Sequence, residues 1–219
     1  MTETQTFADL GLADAITGAL SERGIIAPFP VQALTIPDAL AGRDVCGKAK
    51  TGSGKTLAFG LPVLQLMAKA EPKKPTGLVL VPTRELANQV CDELAPAAEA
   101  VDRTALAIYG GAPIEKQIEK LERGVDLVVA TPGRMIDLIE RNAISVAAVN
   151  HVVVDEADRM ADMGFLPQVE WILRNVESDH QTLLFSATLD GVVNTLIKRY
   201  QTDPSMHEVV SEEVTVEQM

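Results

Sequence analysis

The segment Ala49-Lys50-Thr51-Gly52-Ser53-Gly54-Lys55-Thr56 joins a short β-prone run to a helix-prone one and packs small residues around one lysine. A strand-loop-helix passage of this kind binds phosphate, because glycines at 52 and 54 let backbone amides converge and the helix N-terminus adds positive potential. Lys55 can reach the outer phosphates of a nucleotide, and Thr56 can offer its hydroxyl to Mg²⁺. Ala49 stands where the strict pattern begins with Gly. Farther on, Val152-Val153-Val154 runs into Asp155-Glu156-Ala157-Asp158, which sets two carboxylates at the carboxyl end of a buried strand. In nucleotide hydrolysis one such acid holds Mg²⁺ and its neighbour orients and deprotonates the attacking water, roles that fall to Asp155 and Glu156 in that order. Taken alone, the same residues also suit an acidic helix N-cap, worth about 0.3–1 kcal/mol against the helix dipole. The phosphate loop tips the reading toward catalysis.

Both motifs need a sheet to hold them at one edge. Short β-rich runs near 43–48, 77–81, 104–109, 126–130, 150–154, 181–185 and 206–210 alternate with helical periods near 55–69, 84–97, 113–121, 132–141, 164–175 and 191–200. This βαβα order predicts an α/β fold with an open, mostly parallel sheet flanked by helices, which binds ligands at the carboxyl ends of its strands. Residues 1–42 form a preface of two helices, about 12–23 and 30–40, split by Pro28-Phe29-Pro30. The expected divisions are therefore 1–42 (extension), 43–205 (nucleotide-binding domain) and 206–219 (last strand and acidic tail). Trp171, among Ile172, Leu173 and Met163, reads as helix core.

Composition narrows the function classes. The chain has 219 residues, 47% of them hydrophobic and 23% charged, which suits one large globular domain. No apolar run is long enough to cross a bilayer, and Met1 to Asp9 lacks the basic start and apolar stretch of a signal peptide, so the expected location is the cytoplasm. Cys46 and Cys91 read as reduced core residues, and His151, His180 and His207 show no metal-ligand spacing. The net charge of −12 argues against tight, nonspecific nucleic-acid binding. Much of the acidity follows Arg199, at Asp203, Glu208, Glu212, Glu213 and Glu217, and reads as a solvated, linker-like end. The absence of a heptad predicts a monomer.

From Phe7 to about Thr188 the chain resembles the DEAD-box RNA helicases, whose name is spelled by Asp155-Glu156-Ala157-Asp158 and whose other motifs occur here in the same order. The resemblance implies a RecA-like P-loop NTPase domain that uses ATP and Mg²⁺ and binds RNA, with Ala49 as the usual first residue of the phosphate loop. Lys50 stands where many members carry Gln or Glu. Gly24-Ile25-Ile26-Ala27-Pro28-Phe29-Pro30-Val31-Gln32 is similar to the family's adenine-reading motif, with Phe7 seventeen residues before Gly24. The Gln32 amide can bond the N6/N7 edge of adenine, and a stacked aromatic contributes about 1–3 kcal/mol. Phe7 also suits a plain core anchor for the first helix. Ile25 replaces a common aromatic, and Phe29 replaces a common Ser or Thr.

The family likeness assigns Pro82-Thr83-Arg84-Glu85, Gly110-Gly111 and Thr131-Pro132-Gly133-Arg134 to successive phosphates of single-stranded RNA, contacts that fix a strand without reading its bases. Thr83 and Pro132 equally suit ordinary helix starts. Ser186-Ala187-Thr188 resembles the segment that couples hydrolysis to strand separation, with Asp158 as the expected partner of its hydroxyls. Complete members carry a second RecA-like domain whose arginines reach the γ-phosphate, whereas here twenty residues without Arg or Lys follow Arg199. Because such an arginine is worth ~10³–10⁵ in turnover, this chain alone is expected to bind nucleotide, hydrolyse it very slowly and unwind nothing. A DNA helicase-type motor and a non-catalytic, ATP-dependent RNA clamp or docking module are the alternatives.

Overall fold

The computed structural model describes residues 5–176 and 179–209. Two helices, α1 (Asp14–Glu22) and α2 (Pro30–Leu40), precede strand β1 (Val45–Lys48). Helices and strands then alternate as α3 (Lys55–Leu66), β2 (Gly77–Leu80), α4 (Arg84–Ala100), β3 (Ala105–Ile108), α5 (Ile114–Glu122), β4 (Leu127–Ala130), α6 (Pro132–Glu140) and β5 (His151–Asp155). Helices α7 (Ala157–Asp162) and α8 (Leu166–Asn175) separate β5 from β6 (Gln181–Ser186), and α9 (Gly191–Tyr200) leads to β7 (Ser205–Glu208).

Every ladder among the described residues is parallel, and the sheet order is β3-β4-β2-β5-β6-β1-β7. The expected open parallel α/β sheet is thus the observed one. Its register brings the strand ends level: Lys48 pairs with Ser186, Asp155 with Phe185, and Leu80 with both Ala130 and Val154. The segments following β1, β2, β4, β5 and β6 therefore emerge along one edge.

Side chains alternate across the sheet with the period of two that a strand imposes. Val79 and Val153 join one core with Phe59, Leu61 and Leu94, while Leu78, Leu80, Val152 and Val154 join the other with Met135, Leu138 and Ile172. On the first face the Phe59 and Phe185 rings pack at 5.7 Å and 54°. Phe7, Leu10, Ile16, Leu20, Val31 and Ile36 extend this core into the N-terminal preface. The preface is fastened to α3 by Gln65, whose Oε1 accepts from the Ala13 amide at 2.8 Å and whose Nε2 donates to the Gly11 carbonyl at 3.1 Å.

Several boundaries differ from the sequence reading. Helix α7 was not foreseen: six residues are too few for an apolar period to show. Helix α3 stops at Leu66 because Met67 is extended (φ −68°, ψ 144°) and its carbonyl accepts from the Arg103 guanidinium. Helix α4 continues past Pro96 to Ala100, where burial of Ala97 and Ala98 at 2% exposure each offsets the missing proline N–H. Strand β7 begins one residue early, at Ser205. Val210, the tail acids Glu212, Glu213 and Glu217, and the first four residues lie outside the described residues.

Trp171 is partly buried against the second core, as expected of a helix-core residue. Both cysteines are free, and burial pushes each thiol up to about 12, which keeps them protonated at neutral pH. Among the described residues no helix is long and apolar enough to cross a membrane.

Candidate functional site

The phosphate loop leaves β1 with the Ala49 amide bonded to the Ser186 carbonyl at 2.9 Å, so strand β6 supports its first residue. Lys50, Thr51 and Gly52 are exposed, Ser53, Gly54 and Thr56 are half-buried, and Lys55 is buried at 6% exposure. Gly54 caps α3 at φ +88°, and a Cβ there would lie 2.6 Å from both Gln32 Nε2 and Phe29 Cδ2. Only glycine fits that conformation and that space.

The loop turns back onto the acidic strand end. Lys55 Nζ lies 3.2 Å from Asp155 Oδ1, with both side chains almost fully enclosed. Burial raises the Asp155 carboxyl above the ordinary carboxylate range, and Lys55 works against that shift. Glu156 Oε1 accepts from the Thr51 hydroxyl at 2.9 Å, and Oε2 from Arg159 Nη1 at 3.1 Å. Glu156 itself is left-handed (φ +53°, ψ 49°), a strained conformation for a non-glycine residue, and its carboxylate bridges Thr51 on the loop and Arg159 on α7. Within this cluster Ser53 Oγ is buried and has no hydrogen-bond partner. An orphaned donor in a glycine-rich loop, a buried lysine and two buried carboxylates are the donor set that a nucleoside triphosphate with Mg²⁺ would complete.

Gln32 is 2% exposed and bridges two segments: its Oε1 accepts from the Phe29 amide at 2.8 Å, and its Nε2 donates to the Gly54 carbonyl at 3.0 Å. The adenine-motif helix is thereby tied to the phosphate loop. Phe7 is 2% exposed within the first core, in the same cluster as Val31 and Ala49, a placement that suits a core anchor.

A concavity of about 540 Å³ opens along the same edge toward β2, β4 and β3. Pro82, Thr83, Arg84, Glu85, Gly110, Thr131, Pro132, Gly133 and Arg134 line it, so nearly all residues assigned to the RNA backbone come together. Gly111 is adjacent at φ +84°. Thr83 caps α4 by accepting from the Leu86 amide at 3.2 Å, and Pro132 occupies the first turn of α6, so each is a helix start as well as a wall of the groove. The two arginines differ. Arg84 is 64% exposed beside Glu85, whereas Arg134 is 12% exposed and donates to the Ala112 carbonyl at 3.1 Å, bracing the glycine turn.

Sequence reasoning missed four further lining residues, Tyr109, Asp137, Met163 and Phe165. Tyr109 adjoins the glycine pair and could have been included; Met163 and Phe165 arrive through the turn between α7 and α8 and carry no local signal. Ser186 reaches Asp158 as expected of that pair, but through the backbone: the Asp158 amide donates to Ser186 Oγ at 3.1 Å, while the Asp158 carboxylate accepts from the Arg159 amide. Thr188 is exposed, and among the described residues no hydrogen bond links it to the acidic pair.

Comparison with known proteins fits this geometry. Residues 29–196 match the family model described as DEAD/DEAH box helicase. The DEAD-box ATP-dependent RNA helicase CshA of Bacillus licheniformis is 43% identical over 215 residues, which covers 97% of this chain and 44% of that protein. The mitochondrial DEAD-box ATP-dependent RNA helicase 9 of Arabidopsis thaliana is 42% identical over 94% of this chain and 34% of its own length. Among solved structures, a DEAD box protein from Methanococcus jannaschii superposes with a TM-score of 0.86 at 36% identity, covering 94% of this chain and 56% of that one. A hypothetical ATP-dependent RNA helicase from Sulfolobus tokodaii gives 0.83 at 37% identity, over 90% of this chain and 57% of that one. The chain thus spans less than half the length of the curated relatives it matches. The family match covers both the phosphate loop and the groove, and this chain belongs to the DEAD/DEAH box helicase family.

Proposed function

We propose that the chain is the ATP-binding unit of an RNA-dependent ATPase that couples nucleotide binding and hydrolysis to local opening of RNA duplexes. The observation that carries this reading is the 3.2 Å contact between Lys55 and Asp155, which joins the phosphate loop to the acidic strand end. Lys55 and the loop amides bind the phosphates, Ser53 supplies its free hydroxyl, and Gln32 reads the adenine edge. Asp155 and Thr56 are the residues that would hold Mg²⁺, which when bound neutralises phosphate charge. Glu156 orients and accepts a proton from the attacking water, a role for which it must exchange its Thr51 contact.

The groove of about 540 Å³ binds RNA through phosphate and sugar, independently of sequence. Residues 1–42 serve as the adenine-motif extension, 43–205 as the first RecA-like domain, and 206–219 as a strand and linker toward a second RecA-like domain that supplies the arginines. Taken by themselves, these 219 residues are a cytoplasmic monomer that binds nucleotide, turns it over very slowly and leaves RNA duplexes intact. Calorimetry with ATP, ADP and GTP in Mg²⁺, on the chain and on Gln32→Ala, tests the reading. Adenine preference that disappears in Gln32→Ala supports it; GTP binding as tightly as ATP, or RNA-stimulated turnover at the rate of a complete enzyme, overturns it.

A further inference from the structure

The adenine motif departs from its family at Phe29, and the structure places that departure at the mouth of the phosphate loop. Phe29 is 56% exposed, among the most exposed large apolar side chains described. Its Cδ2 would lie 2.6 Å from a Cβ on Gly54, so the ring borders the last turn of the loop. Its amide is held by Gln32 Oε1 at 2.8 Å, which fixes this backbone to the side chain assigned to base reading. Gln32 in turn keeps one Nε2 proton and one Oε1 lone pair beyond its bonds to Gly54 and Phe29. Of the other aromatic or apolar side chains in this stretch, Phe7 is 2% exposed in the core and Ile25 packs against that same core, while Ile26, 61% exposed, is branched aliphatic and offers no flat ring face.

We propose that the Phe29 ring is the surface against which the base of a bound purine nucleotide packs, beside the remaining hydrogen-bonding capacity of Gln32. The proposal rests on the nucleotide reading of the loop given above. An aromatic ring half in water beside a polar cradle gains by covering a flat apolar partner, and a purine offers the larger such face. A serine or threonine at this position would supply a hydroxyl to the loop and no such face. The division of labour is then distinct: the loop holds phosphate, Phe29 adds base affinity without choosing between adenine and guanine, and Gln32 makes that choice.

The test uses the 219-residue chain and its Phe29→Ser, Phe29→Leu and Phe29→Tyr variants, titrated calorimetrically with Mg²⁺ and either ATP or inorganic tripolyphosphate. Stacking predicts an ATP affinity about tenfold weaker in Phe29→Ser, less weakened in Phe29→Leu and retained in Phe29→Tyr. Tripolyphosphate affinity should be the same in all four proteins. ATP binding to Phe29→Ser as tight as to the unsubstituted chain overturns the inference while leaving nucleotide binding intact. Equal losses for ATP and tripolyphosphate also overturn it, because Phe29 would then shape the phosphate loop and not meet the base. If the unsubstituted chain binds neither probe, the nucleotide reading itself fails.

Discussion

Replacing Lys55 with alanine removes one half of a buried ion pair before any nucleotide is involved. Lys55 Nζ and Asp155 Oδ1 stand 3.2 Å apart with side-chain exposures of 6% and 3%. At an effective dielectric of roughly 20 their attraction is about 5 kcal/mol, which offsets the cost of taking both charges out of water. Truncating one partner leaves the other uncompensated, so Lys55→Ala should lower the unfolding free energy by about 3–5 kcal/mol at neutral pH. Urea denaturation of Lys55→Ala, Asp155→Asn and the double variant measures this directly, and the double variant should recover at least about 1 kcal/mol of the summed losses.

The pH dependence has a definite sign. Burial raises the folded-state pKa of Asp155, and loss of Lys55 removes the group that pulls it back. A carboxyl whose folded pKa lies above its unfolded value contributes stability that is present at low pH and lost as pH rises through the folded value. The deficit of Lys55→Ala should therefore shrink on acidification from neutrality toward the unfolded carboxylate range. A Lys55→Ala chain that unfolds within about half a kcal/mol of the parent, with no coupling to Asp155, would refute the pairing and mean that the loop stands open in solution.

Three further outcomes follow from the packing and can be read by the same denaturation assay. Ser186→Ala should cost about 1–3 kcal/mol, because the Asp158 amide loses the acceptor that it reaches at 3.1 Å beneath a fully buried side chain, and ATP affinity should be little changed. Gly60→Ala should destabilise by about 1–3 kcal/mol, since its Cβ would meet Leu94 Cδ2 at 2.2 Å where α3 crosses α4. His151 is held below its ordinary value of 6.5 by burial, with Gln181 opposing, so its neutral form favours the fold; stability should fall as pH drops through that value, and His151→Gln should flatten the slope.

The strands were legible because each is a short, continuous apolar run between turn residues, and a parallel sheet buried on both faces makes that pattern unavoidable. Val152-Val153-Val154 shows it best, flanked by the acids that mark the strand's carboxyl end. Helix α7 was not legible, since six residues carry less than two turns of period. The phosphate loop and acidic pair could be named from residue type and order alone. Their mutual engagement, with Thr51 on Glu156 and Lys55 on Asp155, could not, because it depends on which strands become neighbours. Arg134 illustrates the same limit: the family likeness assigns it to the RNA backbone, while its 12% exposure and its bond to the Ala112 carbonyl depend on how the glycine turn packs and have no local sequence signal. Phe7 and Phe29 could not be told apart by composition either, and burial separates them.

The position of β1 in the sheet has a consequence for how the protein is made. Val45 pairs with Leu183 on one side and Ser205 on the other, so the strand that carries the phosphate loop is synthesised well before either of its neighbours. Contacts this distant in sequence form late, because a long loop must close before they return any free energy. A nascent chain that ends short of Gln181 contains Lys55 and Asp155 but lacks the Ser186 carbonyl that anchors Ala49 and the Phe185 ring that packs against Phe59. The first of the candidate-site segments to leave the ribosome is thus among the last to take shape, and until then its strand depends on other means to avoid aggregation.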